Sequence, residues 1–177
     1  MHLEPCHNRK MVKRILAMVF LLTVGFPLQS QETATATAAE HFVRMAAWEG
    51  RWSVVGNDAL TIVFERTAAG HTLVERWQTR SGLHSMTVYH LAGNVVMATH
   101  YCPQGNQPRL VALPGTAGQV HFVPLDITGL DAGESHAISI DFMEHPDGSL
   151  DRTEIYADEG GPGLPDILTL TRSPDPQ

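Results

Sequence analysis

Seven side chains in the middle of this chain have the types and spacing to do chemistry together: Glu75, Trp77, Ser85, Thr87, Tyr89, His100 and Cys102. Each sits an even number of residues from its neighbours in its own segment, so in extended chain each group shares one face. A buried Glu75 needs a partner, because an unpaired carboxylate out of water is costly. Tyr89 and His100 are the candidates. His100 and Cys102 point the same way, and with Glu75 they form three metal ligands of ordinary type. His100 alone is a candidate haem ligand. The tighter metal motifs, H-x-H and H-E-x-x-H, are missing. Ser85 or Cys102 with His100 is a formal nucleophile and base, but there is no nucleophile elbow and Ser85 has no evident oxyanion donors. The expectation is therefore binding rather than turnover, and the residues name no cofactor.

Arg109 closes the stretch CPQGNQPR. Read as a loop at the mouth of a folded unit, it offers Arg109 for bidentate binding of a carboxylate, with Asn106 and Gln107 beside it. The alternative for Asn106 is turn chemistry, with Pro103, Gly105 and Pro108 shaping the chain.

The elements that must position these groups are strands. From Gly50 onward, short alternating runs are punctuated by Gly, Asn, Asp and Pro every eight to twelve residues. Ten strands are expected, at about 50–56, 59–67, 71–79, 83–91, 94–102, 108–114, 118–125, 136–144, 150–157 and 166–173. Short connections argue for an antiparallel up-and-down meander, and closure into a barrel removes its exposed edges. Before it, AEHFVRMAAW (39–48) has an apolar stripe at Phe42, Met45 and Ala46 and predicts one short helix.

Turn positions carry the register. A tight turn at Ala92-Gly93 sets Tyr89 opposite Val96, Thr87 opposite Ala98 and Ser85 opposite His100. The turn at Arg80–Gly82 sets Trp77 opposite Ser85 and Glu75 opposite Thr87. The turn before it sets Phe64 opposite Leu73, Ile62 opposite Glu75 and Leu60 opposite Trp77. One continuous face results, from Leu60, Ile62, Phe64 and Leu73 through the seven chemical residues to Val96 and Ala98. The other face holds Arg76, Gln78 and most histidines, but also Met86, Val88, Val95 and Met97. The first face is taken as interior because it owns Trp77 and begins purely apolar.

The N-terminus reads as an export signal. Arg9, Lys10, Lys13 and Arg14 precede the apolar run ILAMVFLLTVGF (15–26), too short for a membrane span of roughly twenty residues. Met11 is a second possible start. Residues 1–30 are expected to be removed, 31–38 (QETATATA) to be a disordered spacer, and 39–174 to form one domain, secreted or periplasmic. Cys6 leaves with the leader, so Cys102 is alone. The whole chain has 12 basic and 19 acidic residues. Removing residues 1–30 leaves 8 Arg, 18 carboxylates and a net charge near −10. That surplus disfavours nucleic acid and anionic membrane surfaces as partners, and no stable membrane insertion is expected of the mature chain. A small apolar or amphipathic molecule is the partner that a barrel interior with convergent polar groups suits. A purely structural interior is the alternative.

Three features together carry a resemblance. Gly50-Arg51-Trp52 opens the first strand after a short helix, Arg172 lies on the last strand in LTLTR, and a meander joins them. The chain resembles the calycins, the lipocalin-like and fatty-acid-binding-like barrels. The resemblance implies that Arg172 packs over Trp52 at a closed end. Residues 86–110, with Thr99-His100-Tyr101-Cys102 and Gly105-Asn106-Gln107-Pro108-Arg109 at their centre, are similar to a segment of uncharacterised exported bacterial lipocalin-like proteins. That implies fold and export, and no chemistry. The disulfide of typical lipocalins is missing, and ten strands sit closer to fatty-acid-binding and nitrobindin-like haem barrels.

Overall fold

The computed structural model describes residues 35–115 and 118–174. The expected leader, 1–30, and the start of the expected spacer lie outside them. The end of that spacer has structure. Ala36 bridges Gly115, and Thr37 caps the helix α1 (Ala38–Ala46). The cap is reciprocal. Glu40 N–H donates to Thr37 Oγ1, and the Glu40 carboxylate accepts from the Thr37 N–H at 2.7 Å and hydroxyl at 2.8 Å. The helix buries His41, Phe42 and Met45.

Ten antiparallel strands follow in a closed up-and-down barrel, as the punctuation predicts. They are β1 (Gly50–Val54), β2 (Asn57–Thr67), β3 (Thr72–Thr79), β4 (Gly82–Ala92), β5 (Val95–Tyr101), β6 (Gln107–Ala112), β7 (Gln119–Thr128), β8 (His136–Glu144), β9 (Leu150–Asp158) and β11 (Asp166–Arg172). Each pairs with the next, β9 pairs with both β8 and β11, and β11 pairs with β1 to close the ring. A two-residue strand, β10 (Gly161–Pro162), extends the end of β9. Because α1 leads straight into β1, the turns after β2, β4, β6 and β8 share the end of the barrel that α1 covers. The turns after β1, β3, β5 and β7 lie at the opposite, open end. This architecture is consistent with a calycin-like fold.

The inward face is the expected one. Ile62, Phe64, Leu73, Glu75, Trp77, Ser85, Thr87, Tyr89, Val96, Ala98, His100 and Cys102 are all buried, and Leu60 is half-buried. Two registers differ from expectation, each by two residues. In β4/β5 the pairs are Tyr89 with Ala98 and Thr87 with His100. In β2/β3 they are Phe64 with Glu75 and Ile62 with Trp77. The β4–β5 turn is Gly93-Asn94, one residue later than Ala92-Gly93, with Gly93 at a positive φ of 65° that it tolerates without a Cβ clash. Moving a turn by one residue shifts the pair sum by two, which changes partners and keeps the face. The β3/β4 pairs, Trp77 with Ser85 and Glu75 with Thr87, are as expected.

The covered end is aromatic. The Trp48 ring packs against Phe142 and Phe64 at centroid distances of 4.6 and 5.7 Å, and its indole N–H donates to Glu144 at 2.6 Å. Trp52 faces Arg172 across β1/β11, and the guanidinium lies 4.6 Å from the indole centroid. The same guanidinium donates to the carbonyls of Glu49 and Ala47 at 3.0 and 2.6 Å, tying the helix exit to the last strand.

Candidate functional site

The centre of the barrel is built on charge. Glu75 on β3 is fully buried, and two hydrogen-bond donors and one cation surround it. The Trp77 indole N–H reaches Oε1 at 2.6 Å, the Tyr89 hydroxyl reaches Oε2 at 2.5 Å, and Arg152 Nε lies 2.5 Å from Oε1. Of the two partners expected for Glu75, Tyr89 is one and His100 is not. Arg152, equally buried, also donates from Nη1 to Glu154 Oε2 at 2.7 Å. Its guanidinium carbon sits 4.6 Å from the Trp77 centroid and 5.9 Å from that of Phe142. Among the described residues Nη2 has no hydrogen-bond partner, and the Nε contact to Glu75 is an ion pair outside hydrogen-bonding angles. Burial by itself lowers the Arg152 pKa, and the facing Glu75 and Glu154 more than offset it, so the guanidinium is held charged. Two carboxyl groups thus face one guanidinium.

A second polar line runs from this centre toward the open end. Thr87 Oγ1 lies 2.8 Å from His100 Nδ1, Tyr156 Oη lies 3.1 Å from His100 Nε2, and Cys102 Sγ is 3.9 Å from Tyr156 Oη. Burial, then the charge on Arg152, pushes the His100 pKa down to about 3, so the imidazole is neutral near pH 7. Its one N–H and one lone pair match the two hydroxyls. Burial raises Cys102, so its sulfur is a thiol. Tyr89 is raised by burial first and by Glu75 next, and Tyr156 by burial and then Glu154, so both phenols keep their protons.

The structure therefore brings Glu75, Trp77, Thr87, Tyr89, His100 and Cys102 into one interior. Arg109 does not join them. It stands on β6, between the buried Pro108 and Leu110, so it points outward, where Nε lies 2.6 Å from the carboxylate of Asp126. The reading of CPQGNQPR as loop fails from Gln107 on, because Pro108 takes an inward position in the strand. Asn106 is fully buried and donates to Glu134 and to the carbonyl of Ser135, both at 3.2 Å, which ties two loops of the open end together. Ser85 and His100 are not cross-strand partners. Ser85 pairs with Trp77 and His100 with Thr87, so the formal triad does not assemble. Among the described residues no three His, Cys, Asp or Glu side chains gather to hold a metal ion. Glu75 turns both oxygens to Trp77, Tyr89 and Arg152, away from His100 and Cys102.

Arg152, Glu154 and Tyr156 were missed in the sequence. Their signal is parity. In LDRTEIYAD they fall at every second position after the buried Leu150. The opposite parity, Asp151, Thr153, Ile155 and Ala157, is equally mixed, so alternation alone does not choose between them.

At the open end a cleft of about 460 Å³ is lined by Leu60, Trp77, Thr79 and His84, among others. Trp77 and Cys102 each keep 8 % exposure, and Tyr156 and Leu168 are half-buried. No protein-family model matches this chain, and no curated protein matches it.

Proposed function

We propose that this protein is exported and that its barrel binds a small, largely apolar molecule in the mouth half of the interior, against Trp77. The carrying observation is the cleft of about 460 Å³ at the open end, lined by Leu60, Trp77, Thr79, Arg80, Ser81 and His84 among others. Its volume falls in the range of small-molecule sites, and an apolar wall with a few convergent polar groups is their usual make-up. Thr79, Ser81, His84 and Arg80 supply the polar groups of that lining. Export is supported by the charged, then apolar, N-terminal stretch. The buried ionic layer favours a second reading, an interior that is structural throughout.

The two readings separate in one experiment. The protein, produced with its own leader and purified without denaturation, is measured by native and denaturing mass spectrometry. A co-purifying molecule of a few hundred daltons, lost in Trp77→Ala while circular dichroism is unchanged, is the expected result. A bare mass in both wild type and variant, with no binding of added apolar probes, supports the structural reading instead.

A further inference from the structure

We infer that the covered end of the barrel holds a second small-molecule site, in which His41 binds the hydroxyl of an uncharged alcohol or phenol. This site is separate from the cleft on Trp77 and does not rest on it.

The site is a cavity of about 430 Å³ between the first turn of α1, the β4–β5 turn and the chain that leaves β6. That volume lies within the small-molecule range. Two contacts hold the helix over it. The reciprocal Thr37–Glu40 cap fixes the start of α1, and the Ala36–Gly115 bridge ties that start to the segment after β6. Leu91, Val95, Val96, Leu113 and Pro114 supply apolar walls. Leu91 and Leu113 are each 41 % exposed, so the cavity has an apolar edge in water.

His41 lines the same cavity and is only 2 % exposed. Among the described residues neither of its ring nitrogens has a hydrogen-bond partner. Buried polar atoms left unpaired cost free energy, and native proteins satisfy nearly all of them. A ligand in this cavity supplies the missing partner. Burial, then the charge on Arg44, lowers the His41 pKa, so the imidazole is neutral near pH 7. It presents one N–H and one lone pair, and a hydroxyl pairs with either.

The lining sets the charge of the ligand. No Asp, Glu, Lys or Arg is among the described residues around the cavity, so an ion would leave water unpaired. A helix N-terminus favours an anion and disfavours a cation. Here the Glu40 carboxylate already takes the anion's place, through the Thr37 N–H and hydroxyl.

The test titrates the full-length protein at pH 7 with three probes of one skeleton: para-ethylphenol, ethylbenzene and the para-ethylbenzoate ion. Affinity is read by calorimetry, and its place by the NMR signals of the His41 ring nitrogens. The phenol is expected to bind at least about fivefold tighter than either other probe and to shift those signals. His41→Phe keeps a buried ring and should bring phenol and ethylbenzene within about twofold of each other. Ala39→Trp, at an exposed helix position that lines the cavity, should block both. Trp77→Ala should leave this binding unchanged. Equal affinities, no binding of the phenol, or a phenol preference that survives His41→Phe overturns the inference. So does loss of phenol binding in Trp77→Ala alone, which would place the phenol in the open-end cleft and leave that reading standing.

Discussion

Two arginines in this barrel sit at the same distance from a tryptophan and do different work. Arg172 lies 4.6 Å from the Trp52 centroid at the covered end, and Arg152 lies 4.6 Å from the Trp77 centroid in the interior. Arg172 is exposed and spends its donors on backbone carbonyls, so water shares its charge. Arg152 is fully buried, and Glu75 and Glu154 compensate the loss of water. Ring geometry is thus a poor guide to energy. Desolvation decides how much rests on each cation.

The comparison breaks most sharply at Arg152. Arg152→Met strands Glu75 in the core and should cost about 3–5 kcal/mol, read as a fall in the urea midpoint. Adding Glu75→Leu to that variant should recover much of the loss, since removing both partners leaves no bare charge. If Arg152→Met is as stable as wild type, the buried layer is not what holds the barrel's centre.

Acid probes the same region through His100. Its folded pKa lies near 3, against an ordinary value of 6.5. Below pH 6.5 the unfolded chain takes up a proton that the folded barrel refuses. The stability that His100 confers is complete above 6.5 and falls as pH drops toward 3, by about 1.4 kcal/mol per pH unit for one group. Stability of His100→Gln measured by urea at pH 7, 6, 5 and 4 should show a shallower slope than wild type. Equal slopes would mean that the imidazole is not buried neutral.

The covered end should respond more gently. Arg172→Met should cost about 1 kcal/mol, the scale of an exposed cation over an indole. Thr37→Ala removes the helix cap and should cost a similar amount, about 1 kcal/mol, with amide exchange rising in α1 first. The smallest effect belongs to Arg109→Gln. Its pair with Asp126 is well exposed on the outer face, where solvent screens it, so the urea midpoint should stay within error of wild type, with no change in binding of apolar probes.

Much of the fold was legible because strand signals are local. The helix, the ten barrel strands and the inward face follow from alternation and from turn residues. The two register errors are of a kind that parity forgives, as at Thr87, which meets His100 rather than Ala98. The site was half legible. Glu75, Trp77, Thr87, Tyr89, His100 and Cys102 share a face within one run of adjacent hairpins, so their neighbourhood follows from the turns between them. Arg109 was misplaced because a proline suggested a loop where Pro108 instead points inward from a strand.

Period-two alternation and turn chemistry act between neighbours, so the sequence by itself determined a barrel, its inner face and a polar patch on that face. Arg152 reaches Glu75 only because the ring closes and brings β9 across the interior from β3, 77 residues away in the chain. The choice of partner for a buried carboxylate is made across that space, where desolvation demands a cation and only closure supplies one. Tertiary structure alone therefore decided that Glu75 is neutralised by Arg152 and that Tyr156 rather than Glu75 meets His100.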